Sequence, residues 1–293
     1  MSLALPETFA FTQSSLQTFV DCPRRFWLTY VARLPWPAEE AAPMDERERL
    51  LQWGARFHHL VERLERGLDP ARVVQDLDYP LDEWVASYRR HRPRDLPTQY
   101  RHVEQVLSVP YRSTQARYRL AARYDLIAAE RQGDAARAVI VDWKTSPRPG
   151  RRTQLQQRLQ TLVYPYVLVE ASSVFPWGPV DPERVSMVYW FTAAPDTPVV
   201  FPYSPDLHAA ARTRLTQLLD DLLARETEAD FPKVPDTPEN RRRLCGYCVY
   251  RSRCNRGQAA ASVDELEDVE DLAPVDLEAS LEFTLEDVEE IAF

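Results

Sequence analysis

Asp142-Trp143-Lys144 closes the apolar run Ala138 to Val141, and Asp125 stands seventeen residues upstream in a second run, Tyr118 to Ile127. Two carboxylates at neighbouring strand ends can hold Mg²⁺ or Mn²⁺, hard cations that prefer oxygen ligands. Lys144 falls on the same strand face as Asp142, where it can orient a water and offset negative charge growing on a phosphate. Desolvating two acids beside a buried strand is costly unless a cation compensates. A structural salt bridge is the plainer alternative; metal-dependent hydrolysis of a phosphodiester is the chemistry these types and spacings fit better.

Three further sets surround that core. His58 lies one position off the apolar seam of Phe57, Leu60 and Val61, which points it sideways toward a cleft, while His59 diverges by about 100° on a helix. Gln160 and Tyr164, at i and i+4, share one helix face, and Gln157 lies on it too. All four cysteines fall into one pattern, Cys22 and then Cys245-x₂-Cys248-x₅-Cys254. Four thiolates suit zinc or an iron–sulfur centre, and the spacing alone does not separate these two soft-metal occupants. Disulfides are disfavoured in a cytoplasmic protein.

The elements that must position these groups follow from periodicity. A helix is expected over Ser14 to Leu34, restarted at Pro23, then a loop to Pro43. A second helix runs from Asp45 to Arg66 and stops at Gly67, and a third lies within 70–92. A link from Arg92 to Pro97 leads to strands near 100–109, 117–129 and 137–144. A helix at about 153–171, strands near 184–193 and 198–203, and a helix at about 205–227 come next. Phe231 to Arg243 reads as extended, and Cys245 to Cys254 as a turn-rich knot. This order predicts an α/β chain with a mixed sheet flanked by helices.

Taken together, Gly54-x₃-His58, Asp125, Asp142-Trp143-Lys144 and Gln160-x₃-Tyr164 resemble, in order and spacing, the PD-(D/E)XK nuclease superfamily and its RecB-type branch. One departure is that Tyr124, and no proline, precedes Asp125. The resemblance implies a restriction-endonuclease-like fold over residues 1–258, with a helical part at about 45–97 inserted before the core. It implies a metal held by His58, Asp125, Asp142 and the Trp143 backbone carbonyl, with Asp125, Asp142, Lys144, Gln160 and Tyr164 as the catalytic set. An imidazole among oxygen ligands shifts preference from Mg²⁺ toward Mn²⁺. The cysteine pattern is similar to the iron–sulfur staple of AddB-type and CRISPR-adaptation nucleases. That implies a 4Fe–4S cluster on Cys22, Cys245, Cys248 and Cys254, in a module at about 231–258, with zinc as the alternative. The implied activity is a DNA nuclease, an exonuclease on single strands or DNA ends leaving 5′-phosphates, in repair, recombination or CRISPR-type processing. The rival is a non-catalytic DNA-binding or protein-interaction subunit that keeps the fold.

Bulk composition bounds the partners. Hydrophobic residues make up 44% of the 293, enough for a sizeable core. No apolar run is long enough to span a membrane and no signal pattern opens the chain, so a cytoplasmic protein is expected. The net charge of −9 hides a division: residues 261–293 hold 13 acids and no Lys or Arg, which leaves 32 acids against 36 bases in the rest. A mildly basic body with an acidic tail is typical of nucleic-acid proteins. Arg24, Arg25, Arg148, Arg151, Arg152, Arg241, Arg242 and Arg243 are candidates for phosphates, and Trp27, Trp36, Trp53 and Tyr247 for stacking on unpaired bases. No phosphate-binding loop of the G-x₄-G-K-[S/T] type occurs, so strand opening is expected from a partner helicase. The tail, residues 259–293, is expected to be disordered alone. Its end resembles the acidic tip of bacterial single-stranded-DNA-binding protein, which implies a repair partner; its acids could instead cover the chain's own basic cleft, and a solubility tail is the plainer alternative.

Overall fold

The longest apolar alternations of the chain build its sheet. In the computed structural model, which describes residues 5, 9–34, 42–111, 118–246 and 248–257 (residues 42–48 by their backbone alone), six strands form one mixed sheet. They are β1 (Ala10–Phe11), β2 (Tyr100–Pro110), β3 (Arg119–Gln132), β4 (Ala135–Lys144), β5 (Val185–Phe191) and β6 (Ala194–Pro202). β3 is the hub: β2 pairs antiparallel along one edge, while β1 and then β4 take successive lengths of the other. β4 continues to β5 in parallel, and β6 closes the order antiparallel. The β3–β4 hairpin pairs Gln132 with Ala135, so its loop is two residues long. Gly133 supplies the positive φ of +60° that such a loop demands.

Helices cover both faces, because the central strands are buried on both sides. One face, carrying Tyr124, Ile127, Ile140, Met187 and Tyr189, packs against α1 (Gln13–Asp21), α7 (Leu159–Ala171) and α8 (Pro205–Leu223). The other, carrying Leu126, Val139, Val141, Trp143 and Trp190, packs against α3 (Ala42–Glu65) and α5 (Leu81–His91). The predicted single helix within 70–92 is two: the four-residue α4 (Pro70–Val73), capped by the Asp69 carboxylate on the Ala71 amide, and α5. The predicted helix at 153–171 is likewise broken. Arg158 adopts an extended conformation (φ −65°, ψ 143°) between α6 (Arg152–Gln157) and α7. Phe231 to Arg243 is extended only to Thr237, where α9 (Pro238–Asn240) starts on a threonine cap and runs into a wide turn to Cys245. Among the described residues, no helix is long and apolar enough to cross a membrane. The tail from 258 onward, Trp36 and Tyr247 lie outside the described residues.

Candidate active site

The β2–β3 ladder carries an irregularity that decides where the acids go. On β3, Leu120, Ala122 and Tyr124 face one core, yet Leu126 and Ala128 face the other. On β2, Val103 packs with the second core, and Leu107 and Val109 with the first. Both strands therefore exchange faces at one point, between the pairs Val103↔Leu126 and Gln105↔Tyr124, without a change of register. The residues at that point are Glu104 and Asp125. Glu104 has φ +54°, a conformation most side chains avoid. Such irregularities re-aim side chains and concentrate beside functional sites.

β4 leaves β3 at the same level. The ladder ends at Leu126↔Val141, and the next amide, Trp143 N–H, donates to Asp125 Oδ2 at 2.7 Å. N–H and C=O of one extended residue point to the same strand edge, so the Trp143 carbonyl also faces the Asp125 side. On the opposite side α3 brings His58, whose Nδ1 lies 3.3 Å from Asp125 Oδ1. Gly54, one turn earlier, permits that approach: a Cβ there would stand 3.0 Å from Thr145 Oγ1, just past the end of β4. His59 faces away, 67% exposed, toward Glu62.

His58, Glu104 and Asp125 thus form a trio with one ligand atom of each within 4.8 Å of the other two. One imidazole and two carboxylates, with a carbonyl on the same edge, form an oxygen-rich set that fits Mg²⁺ or Mn²⁺. Burial pushes the Glu104 carboxyl up and Asp125 adds to it, against the pull of Arg123, whose Nε donates to Glu104 Oε2 at 2.7 Å, and of His58. Burial alone would raise the Asp125 carboxyl too. The charge and hydrogen bond of His58, the Trp143 amide and Lys144 outweigh it and hold that group below its ordinary value. Glu104 was not among the residues picked out by sequence. Its one signal is its position opposite Asp125, visible only once the β2–β3 register is known.

Asp142 stands outside this trio. Its carboxylate is buried, with Lys144 Nζ at 3.0 Å from Oδ2 and Gln160 Nε2 donating to Oδ1 at 2.6 Å. Gln160 reaches it from the first turn of α7. Tyr164, one turn on, does not join the acids; it packs on Tyr124 at 5.1 Å between ring centres, and its carbonyl accepts the Tyr124 hydroxyl. Trp53 packs on the second core and Trp27 leans on Phe231.

Beyond Gln160 a cavity of about 590 Å³ opens between α1, α6 and the C-terminal module, and all four cysteines line it. Cys22 sits at the joint between α1 and α2 (Pro23–Phe26), in extended conformation (φ −157°). Cys245, Cys248 and Cys254 lie on successive tight turns, Cys248 N–H on the Cys245 carbonyl and Cys254 N–H on that of Tyr250. Burial raises the Cys245 and Cys254 thiols, and the neighbouring thiols raise them further. Among the described residues, no three of these sulfurs come within 4.8 Å of one another. The module is fastened to the first helices by Phe231 stacked on Phe26 (6.0 Å, 8°), by Arg24 N–H on the Pro232 carbonyl and by Tyr250 Oη on the Leu34 carbonyl. The cavity also gathers basic groups, among them Arg25, Arg148, Arg242 and Arg243; Arg24 pairs instead with Glu228, Arg241 with Asp236, and Arg152 lies over the Phe201 ring.

Comparison with known proteins adds three findings. The sequence model described as the PD-(D/E)XK nuclease superfamily matches residues 10–255. Among solved structures, the chain resembles a candidate exonuclease of Eubacterium rectale (11% identical, TM-score 0.47, covering 98% of this chain and 94% of that one) and the protein SSO0001 (14% identical, TM-score 0.38, 85% and 88%). No curated protein matches the chain.

Proposed function

We propose that this chain, which belongs to the PD-(D/E)XK nuclease superfamily, is a metal-dependent deoxyribonuclease of the RecB type that acts as an exonuclease on single strands or DNA ends. The observation that carries the reading is the convergence of His58, Glu104 and Asp125 beside the buried Asp142–Lys144–Gln160 group. A divalent cation bound by His58, Asp125 and Glu104, with Asp142 and the Trp143 carbonyl at its border, would neutralise phosphate charge and acidify a water. Lys144 Nζ orients that water and supports the growing negative charge, while Asp142 fixes the ammonium group. Gln160 holds Asp142 in place. The water oxygen attacks phosphorus as the bond to the 3′-oxygen breaks; its proton passes to solvent and solvent protonates the leaving 3′-oxygen, giving a 3′-hydroxyl and a 5′-phosphate. Arg25 and Arg148 line the cavity beside Gln160, where they can hold phosphates of the strand.

The same reading assigns a 4Fe–4S cluster to Cys22, Cys245, Cys248 and Cys254. A single zinc at about 2.3 Å from each thiolate would need sulfurs about 3.8 Å apart. A 4Fe–4S cluster would instead give each thiolate a different iron, and zinc is the alternative occupant. The function belongs to DNA repair, recombination or CRISPR-type processing, with a helicase as the expected partner.

One observation favours a second reading. The Asp142–Lys144 pair is closed and buried, as a purely structural bridge would be, which suits a non-catalytic DNA-binding subunit. Cleavage of a labelled single strand with Mn²⁺, by the wild type and by Asp125→Asn, separates the two. The nuclease reading expects metal-dependent cleavage that Asp125→Asn reduces by at least about 10³-fold with strand binding retained. Binding without cleavage by the wild type, on single-stranded and on end-bearing duplex substrates, would leave the structural reading in its place.

A further inference from the structure

Ahead of Asp125, β3 carries Arg119 and Arg123 on one face of the strand. It is the face turned away from the first core, which Leu120, Ala122 and Tyr124 fill. Neither arginine lines the cysteine cavity. Both guanidinium groups lean the same way. Arg123 stands opposite Val106 of β2, yet its Nε reaches two residues further, to Glu104. Arg119 stands opposite Pro110, and it too reaches two residues further: Nε donates to the Ser108 hydroxyl at 2.8 Å and Nη2 to the Ser108 carbonyl at 3.0 Å. Each side chain therefore tilts along the ladder toward the metal trio. What differs is the acceptor. Glu104 neutralises Arg123, whereas Ser108, in the equivalent place, offers Arg119 only neutral oxygens. Among the described residues Arg119 has no acidic partner. Burial pulls its guanidinium below the ordinary arginine value, although an arginine stays charged. A half-buried cation lacking a counter-charge is costly to keep, and an arriving anion relieves that cost. The charge around the trio agrees. Arg119, Arg123 and Lys144 cancel Glu104, Asp125 and Asp142, their own partners included. A bound divalent cation then leaves two positive charges, which two phosphodiesters neutralise.

We propose that Arg119 and Arg123 form a phosphate track along β3, so that the backbone of a bound strand runs from the metal trio over Arg123 to Arg119. Arg123 takes a phosphate beside the one at the cation while it orients Glu104. Arg119, four residues back and about 13 Å along the strand, takes a more distant one. Phosphate contacts position a strand without reading its bases, so the track makes binding tolerant of sequence. The proposal rests on the nuclease reading for the identity of the polyanion; the track itself stands on the two leaning guanidinium groups and the missing acid at Ser108.

The test titrates labelled oligothymidylate into the full chain carrying Asp125→Asn, which the nuclease reading expects to bind without cleaving, over a series of salt concentrations. Each phosphate contact to a single strand contributes about 0.7 to the slope of log affinity against log salt. Adding Arg119→Gln is expected to reduce that slope by about 0.7 and the affinity at about 0.1 M salt by about fivefold; Arg119→Lys is expected to restore the slope. An unchanged slope overturns the proposal even where affinity falls, because a structural defect weakens binding alike at every salt concentration. Failure of the strand to bind at all overturns it as well. Should Arg119→Gln fail to fold, Ser108→Asp replaces it. That carboxylate gives Arg119 the partner Glu104 gives Arg123, and the same loss of slope is expected; an undiminished slope overturns the proposal equally. Mn²⁺-dependent cleavage by the wild type is read separately. A slope that depends on Arg119 without any cleavage keeps the track and removes the nuclease reading. Cleavage with a slope indifferent to Arg119 does the reverse.

Discussion

At the scale of single residues, Glu104 carries the sharpest expectation. It is pulled into the trio by a strained backbone (φ +54°) and is held by Arg123. Glu104→Gln keeps the shape and removes one anionic ligand. Mn²⁺ affinity by titration calorimetry should fall by about 10–100-fold, with thermal stability unchanged or higher. Affinity equal to the wild type would remove Glu104 from the site. His102 gives a second expectation, unconnected with the metal. Its Nε2 accepts the Trp177 indole N–H at 2.9 Å, so this nitrogen must be unprotonated, and burial lowers its pKa from the ordinary 6.5. The unfolded chain then binds the proton more readily. The stabilisation is complete above pH 6.5 and fades as pH drops through the lowered folded-state value. Urea midpoints of wild type and His102→Gln should diverge least near pH 5 and most near pH 8; parallel curves would show that this contact is not titrating.

At the scale of elements, the sequence spoke clearly where a pattern was long and faintly where it was short. The strands near 100–109, 117–129 and 137–144 and the helix from about 45 to 66 were legible because each holds enough positions for a period to emerge. β1 was not, since two residues have no period, and it forms only because β3 leaves an edge open for it. The break at Arg158 was hidden too. Arg158 is itself a good helix former, and no glycine or proline stands at positions 157–159 to signal an end, so tertiary packing sets the bend. Among the site residues, His58, Asp125, Asp142, Lys144 and Gln160 were each visible as local motifs, and the structure gathers them around the parting ends of β3 and β4. Glu104 required a register between two strands, and the burial of Tyr164 against Tyr124 required knowing which face of α7 meets the sheet. Gly54 connects motif and geometry. With Thr145 Oγ1 only 3.0 Å from its missing Cβ, Gly54→Val should push α3 outward and carry His58 from Asp125. The expected result is a loss of about 1–3 kcal/mol in stability from overpacking, with weaker Mn²⁺ binding. Unaltered metal affinity would show that α3 accommodates the bulk elsewhere.

At the scale of the whole molecule, the cysteine module is fixed to the first helices by apolar contact. Phe231 is fully buried against Phe19, Phe26 and Trp27. Phe231→Ala should cost about 3–5 kcal/mol, read from denaturant midpoints of the metal-loaded protein. Cys245→Ser should lower the same midpoint and abolish any visible absorption of the purified protein; a colourless wild type containing zinc would instead identify the smaller occupant. The hydrogen bond from Tyr250 to Leu34 joins positions 216 apart, which has a consequence for how the protein is made. A ribosome delivers the first helices long before the segment that covers them, at about 5–20 residues per second. During that interval Phe19 and Phe26 have no Phe231 to meet. The nascent chain must therefore wait with an oily opening end, open to chaperones throughout that interval, and a centre that needs all four thiols can assemble only at the close of translation.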